Sequence, residues 1–318
     1  MSARRALVTG GAGFLGGHLV ERLVRAGWDV VVLDWRRPDL DAPFEWVEAD
    51  VVDAAAVAEA ASSTTVIYHL AAVVGVGPLL DDPLGAIDVT IDGTRAVLAA
   101  AAANGAGIVH LSTSEVLGTN PEVPWDEGAV RTVGAAHVDR WAYASAKATA
   151  EHLVLVGARR HDLPATVVRP FNVYGPRQRP GFVVPSMVAA ALAGRPIPVH
   201  DAGDQTRCFT YIDDIVDALV RLGDKPAITP VLHLGSAEET SVAALAGLVA
   251  RLVGSDRPPE HRSMASVWGE HGGRIDRRVP DASLARHLLG WEATTGLVEG
   301  LGRTIEWAKR FGPEQGWT

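Results

Sequence analysis

Short apolar runs bounded by glycine and polar residues recur through the first half of this 318-residue chain, separated by longer segments whose apolar positions repeat at helical spacing. The short runs, near 5–9, 29–33, 45–49, 66–70, 107–112 and 165–169, read as strands. The longer ones, near 14–26, 53–61, 84–103 and 143–160, read as helices. Strand alternating with helix predicts an α/β fold, a parallel sheet wound on both faces. From Pro170 the texture changes. Prolines become frequent (Pro176, Pro180, Pro185, Pro196, Pro198), helices are interspersed with short strands, and Gly254–His261 and Gly269–Gly273 read as loops.

Composition narrows the class. Hydrophobic content of 47% with 21% charged residues is that of an ordinary soluble globular chain. A net charge of -9 without a basic block argues against a nucleic-acid partner. One cysteine, Cys208, excludes an intrachain disulfide framework and fits a reducing cytoplasm. The first strand begins within a few residues of Met1, which leaves no room for a signal peptide. The alanine-rich stretch Val97–Ala103 lies between Arg95 and Asn104, so it reads as a core helix and not as a membrane span. No His/Cys/Asp spacing suggests a metal site.

Two local patterns carry chemistry. Arg5-Ala-Leu-Val-Thr9 runs into Gly10-Gly-Ala-Gly13-Phe14-Leu15-Gly16 and then a helical pattern, the order strand, glycine turn, helix. That order suits a dinucleotide: the glycines allow a tight turn and close backbone approach, and the helix N-terminus receives the pyrophosphate. The second strand ends in Asp34, where a carboxylate accepts a ribose 2′-hydroxyl and repels a 2′-phosphate, which favours NAD over NADP. Arg36 and Arg37, just beyond, pull the other way. The second pattern is Tyr143 and Lys147, four apart on one helix face. An ammonium beside a phenol favours phenolate, which makes Tyr143 a candidate general base toward a hydroxyl. His69 reads as a satisfied buried histidine and Trp291 as a packing residue.

These segments, together with Asp50-Val51, His69-Leu70-Ala71-Ala72, Ser112-Thr113-Ser114-Glu115 and Arg169-Pro-Phe-Asn-Val-Tyr-Gly-Pro-Arg177, resemble the extended short-chain dehydrogenase/reductase superfamily, and within it the nucleotide-sugar epimerases, dehydratases and decarboxylases. The resemblance runs from about residue 4 to about residue 310. It implies a Rossmann NAD-binding domain over 1–170, with later segments near 205–235 returning to it. A smaller, discontinuous α/β sugar-nucleotide domain would occupy most of 171–318. It also implies a homodimer built on a bundle of the helices near 84–103 and 143–160. Gly10, Gly13, Phe14, Leu15, Gly16, Asp34, Asp50, Val51, Leu70, Ala71, Ala72, Tyr143, Lys147 and Pro170 would then line the cofactor. Thr113 and Tyr143 would hold the sugar 4-hydroxyl during transient oxidation at carbon 4. Asn172 and the strand Arg195–Val199, with Pro198, would contact the diphosphate and nucleobase, and Arg207 the diphosphate.

The reaction is less determined than the family. Glu115 is the residue type that dehydratases and decarboxylases carry, and Thr113-Ser114-Glu115 is the tripeptide of UDP-glucuronate decarboxylases. Arg140-Trp-Ala-Tyr143 and Arg207-Cys-Phe-Thr210 are similar to segments of such decarboxylases, and Arg278 aligns with their carboxylate-binding arginine, although a basic residue there also binds the β-phosphate in epimerases. The resemblance therefore favours decarboxylation, with 4-epimerisation and 4,6-dehydration as alternatives. The chain departs from the pattern at Val116-Leu117-Gly118, which lacks the usual tyrosine, and at Thr90, where asparagine is common. A regulator that had lost catalysis would typically lack the Tyr143/Lys147 pair, which is intact.

Overall fold

The computed structural model describes residues 4–263 and 274–312; the loop expected at Gly269–Gly273 lies outside them. Six strands follow the periodicity closely: β1 (Arg5–Thr9), β2 (Asp29–Asp34), β3 (Glu45–Glu48), β4 (Val66–His69), β5 (Gly107–Leu111) and β6 (Ala165–Pro170). A short β7 (Val173–Tyr174), β8 (Pro198–His200), β9 (Thr206–Cys208), β10 (Thr210–Tyr211) and β11 (Val231–Leu234) come next. The central sheet is parallel throughout, in the order β11-β6-β5-β4-β1-β2-β3, a doubly wound Rossmann arrangement with one added strand. Ala6, Leu7, Val8, Val66, Ile67 and Tyr68 are fully buried, as expected of strands covered on both faces.

Helices α1 (Phe14–Arg25), α2 (Ala54–Ala60), α4 (Pro83–Asn104), α5 (Arg140–His161) and α7 (Ile212–Gly223) cover the sheet; the short α3 (Val76–Asp81) packs on α4 and α5, while α6 (Val183–Leu192) and α8 (Val242–Val253) pack on one another and on β8. Their ends are chemically marked. Asp53 caps α2 by accepting from Ala55 N and Ala56 N. Asp82 caps α4 ahead of Pro83 by accepting from Gly85 N at 2.9 Å, and Gly105 ends it at φ 67°. Gly157 lets α5 approach α4, since a Cβ there would lie 2.2 Å from Leu98 Cδ2.

Two expectations change. Helix α5 begins at Arg140 rather than near 143, so Arg140 and Trp141 form its first turn. The loop expected at Gly254–His261 gives way at its end to a short strand, Glu260–Arg262. His69 is satisfied as expected, with Nδ1 against Thr9 Oγ1 at 2.9 Å and Nε2 against Thr94 Oγ1 at 3.2 Å. Trp291 packs as expected, buried, its indole N–H donating to Asp214 O at 2.8 Å. Among the described residues no helix is long and apolar enough to cross a membrane.

Beyond the central sheet, β9 lies between β12 (Glu239–Ser241), antiparallel, and β14 (Arg277–Arg278), parallel; β8 pairs with β13 (Glu260–Arg262).

Candidate active site

The carboxyl ends of β1, β2, β4, β5 and β6 open on one edge of the sheet, where an open α/β fold binds its ligands. The glycine loop leaves β1 there. Gly10 takes φ 74°, and a Cβ on it would lie 2.7 Å from Ala71 N; one on Gly16 would lie 2.1 Å from Gly10 O. The loop therefore closes only with glycine at these positions. Exposed Gly13 begins α1 without a side-chain cap, and Phe14 and Leu15 form its first turn.

Asp34 at the end of β2 is buried and accepts from Ala12 N and from Arg36 N, each at 3.0 Å. That leaves carboxylate lone pairs for a ribose hydroxyl. Arg36 lies 4.9 Å over the Trp35 ring and Arg37 5.6 Å over that of Trp46. Leu70, Ala71 and Ala72 follow β4; Leu70 N donates to Thr9 O at 3.2 Å and Ala71 N to Thr9 Oγ1 at 3.3 Å. Val51 is buried against Gly93, whereas Asp50 is exposed and accepts from Val52 N at 3.1 Å. Pro170 closes β6.

Beyond β5, Thr113 caps a 3₁₀ turn, Ser114–Leu117, by accepting from Glu115 N at 3.2 Å. Ser114 is buried in that turn. The Tyr143 phenol faces the Thr113 hydroxyl, which favours its ionised form. Here the structure corrects the electrostatics expected from spacing. Lys147 is buried and donates to Leu111 O at 3.0 Å. Burial pulls its pKa down to about 8 against the opposing pull of Glu151. The Tyr143 phenol is pushed above its ordinary value, by burial first and the Glu115 charge second, with the Thr113 hydroxyl and Arg278 opposing. Burial, and not the helix-face neighbour, decides the direction.

Glu115 sits among arginines, 3.1 Å from Arg278 and 3.7 Å from Arg140. Burial by itself would raise its pKa, but Arg278 and then Arg140 bring it to about 2. Arg278 on β14 pairs in register with Arg207 on β9. Burial and then the charges of Arg278 and Arg140 depress the Arg207 pKa. Arg207 is held by Ile275 O at 2.8 Å and Thr206 O at 2.7 Å. The structure thus gathers Thr113, Glu115, Tyr143, Arg207 and Arg278 into one site.

The expected substrate strand is corrected: β8 starts at Pro198, Arg195 is exposed in the turn after α6, and the Val199 side chain belongs to the hydrophobic core. Asn172 takes φ 40° and donates to Cys208 O at 3.3 Å. Two residues outside the expected set belong to the site region. Arg140 is one, visible in sequence only as part of a motif. The other is Glu151, which accepts from Ser112 Oγ at 2.5 Å and from Arg169 Nε at 2.9 Å, and pairs with Arg131. Tyr143, Lys147 and Glu151 repeat every four residues, and that spacing was the available signal.

Residues 6–233 match the model of the NAD dependent epimerase/dehydratase family. The chain belongs to this family. It is an NAD-dependent enzyme, and the fitted glycine loop and Asp34 suit that cofactor. The chain is 33% identical to a UDP-N-acetyl-alpha-D-glucosaminuronate decarboxylase of Bacillus cytotoxicus, over 97% of this chain and 98% of that one. It is 35% identical to a UDP-glucose 4-epimerase of Mycolicibacterium smegmatis, over 95% and 97%. A solved structure of MoeE5 in complex with UDP-glucuronic acid and NAD superposes with a TM-score of 0.85 at 30% identity, covering 96% of this chain and 99% of that one.

Proposed function

We propose that this enzyme decarboxylates a UDP-linked uronic acid, with UDP-glucuronate as the first substrate to test. One observation carries the choice among reactions: Arg278 and Arg140 both pair with the single carboxylate of Glu115, and Arg207, in register beside Arg278, adds a third positive charge to it. That excess of positive charge suits a ligand bearing a sugar carboxylate as well as a diphosphate.

Gly10, Gly13, Gly16 and Asp34 would hold NAD, which when bound supplies the hydride acceptor. Tyr143 takes the proton of the sugar 4-hydroxyl, positioned by Thr113. Lys147, anchored on Leu111 O, sets the charge around Tyr143. Oxidation at carbon 4 turns a carbon-6 carboxylate into a β-keto acid, so carbon dioxide leaves, the electron pair of the broken bond passes to the carbon-4 oxygen as an enolate, and protonation at carbon 5 gives a 4-keto pentose. Arg278 holds the carboxylate before it leaves, Arg207 the diphosphate, and Glu115 serves the carbon-5 step.

The Mycolicibacterium smegmatis relative supports a second reading, 4-epimerisation, in which Arg278 binds phosphate and Glu115 is a turn residue. Mass analysis after incubation with NAD and UDP-glucuronate separates the two: decarboxylation lowers the product mass by carbon dioxide when the hydride returns to carbon 4, or by carbon dioxide and two hydrogens when the keto sugar is released, whereas epimerisation leaves it unchanged. We further propose a homodimer through the outer faces of α4 and α5, where Leu84, Ala99 and Ala103 of α4 and Val156 of α5 are exposed. Light scattering that finds only monomer at micromolar concentration overturns it.

A further inference from the structure

Glu115 already occupies the position that a ligand carboxylate would seek. Its side chain is 22% exposed, so a ligand can reach it, and it lies 3.1 Å from Arg278. Arg278 is itself buried, and its Nε has no hydrogen-bond partner among the described residues. Arg278 and Arg207 are direct neighbours across β14 and β9. Like charges in register repel, so the protein needs an anion there before any ligand arrives, and Glu115 is that anion. Arg140, 3.7 Å from the same carboxylate, offers it a second partner.

We propose that Glu115 is an internal stand-in for the substrate carboxylate: a uronate displaces it from Arg278, and the released Glu115, retained by Arg140, becomes the group that serves carbon 5. The proposal rests on the decarboxylase reading and adds a source of specificity to it. A sugar without a carboxylate leaves Glu115 pinned on Arg278, ionised and unable to accept or donate a proton usefully. A uronate supplies the second anion that three arginines can bear, and losing Arg278 to it raises the proton affinity of Glu115. Selection for the uronate then operates through the catalytic carboxylate and not through affinity alone, because part of the binding energy is used to break the Arg278–Glu115 pair.

The test uses enzyme loaded with NADH, which binds sugar nucleotides without oxidising them. Calorimetric titration compares UDP-glucuronate with UDP-glucose in wild type and in Glu115→Gln. Removal of the competing anion is expected to tighten UDP-glucuronate by roughly tenfold, the factor one charge-assisted hydrogen bond carries, and to change UDP-glucose by less than about twofold, within the scatter expected of a neutral contact. Unchanged UDP-glucuronate affinity overturns the proposal, and so does an equal gain for both ligands, which reports only the net charge of the site. If Glu115→Gln loses UDP-glucose binding as well, Glu115→Asp, whose shorter side chain withdraws from Arg278, carries the same comparison with the same two outcomes. Failure of the underlying reading has a different signature: wild type with NAD releases no carbon dioxide from UDP-glucuronate, whatever the affinities.

Discussion

Ser112 donates its hydroxyl to Glu151 at 2.5 Å, joining the end of β5, which leads into Thr113, to the helix that carries Tyr143 and Lys147. Glu151 is almost wholly buried and also pairs with Arg169 at 2.7 Å and with Arg131. The two halves of the catalytic constellation are therefore held in register by one carboxylate.

Glu151→Gln should destabilise the fold by about 3–5 kcal/mol, because it leaves Arg169 buried without its counter-charge. Burial would raise the Glu151 pKa, but the Arg169 hydrogen bonds and charge bring it below the ordinary value. A depressed folded-state pKa contributes stability above the unfolded value and loses it as pH falls through the folded one. Wild type should accordingly lose this contribution only on acidification below the ordinary carboxylate range, and the loss should be absent in Glu151→Gln. Thermal unfolding across pH 3–7 checks both.

Tyr143→Phe should lower turnover by roughly 10²–10⁴-fold, the usual worth of a general base. The raised phenol and the lowered Lys147, at about 8, also shape the pH profile. If the active form is phenolate with ammonium, kcat/KM rises with unit slope up to about pH 8 and then levels, because each further gain in phenolate is matched by loss of ammonium. Lys147→Met should remove that break. A bell centred near neutrality in wild type contradicts the assignment.

Asp34→Ser should weaken NAD by about tenfold, the loss of one or two charge-assisted hydrogen bonds. NADP should gain in relative terms, since Arg36 and Arg37 remain beside the site. Titration of both cofactors by intrinsic fluorescence measures the ratio; tighter NADP binding in wild type reverses the role of Asp34.

Glu115→Gln should spare the first oxidation and stall the later carbon-5 step, so the absorbance of bound NADH should accumulate on mixing NAD-loaded enzyme with UDP-glucuronate. Full activity of this variant with unchanged product mass assigns the chain to 4-epimerisation.

The elements and the family were legible in the order of residues alone. Apolar periodicity marks β1 to β6 because strands covered on both faces admit little else, and the glycine loop is legible because only glycine closes against Gly10 O and Ala71 N. Tyr143 and Lys147 fall on one helical face by spacing. The effect of those groups on one another came instead from packing. Lys147 turns to Leu111 O, and burial drives the phenol up where spacing suggested down. The start of α5 at Arg140 and the pairing of β14 with β9 bring Arg140, Arg207 and Arg278 around Glu115, and Val231–Leu234 joins the sheet beside β6. Arg195 and Val199, near neighbours in sequence, part into solvent and core. Spacing fixes direction within one element, because backbone geometry is local. Charge and desolvation depend on which distant elements close over a group, and that is settled only when the chain packs.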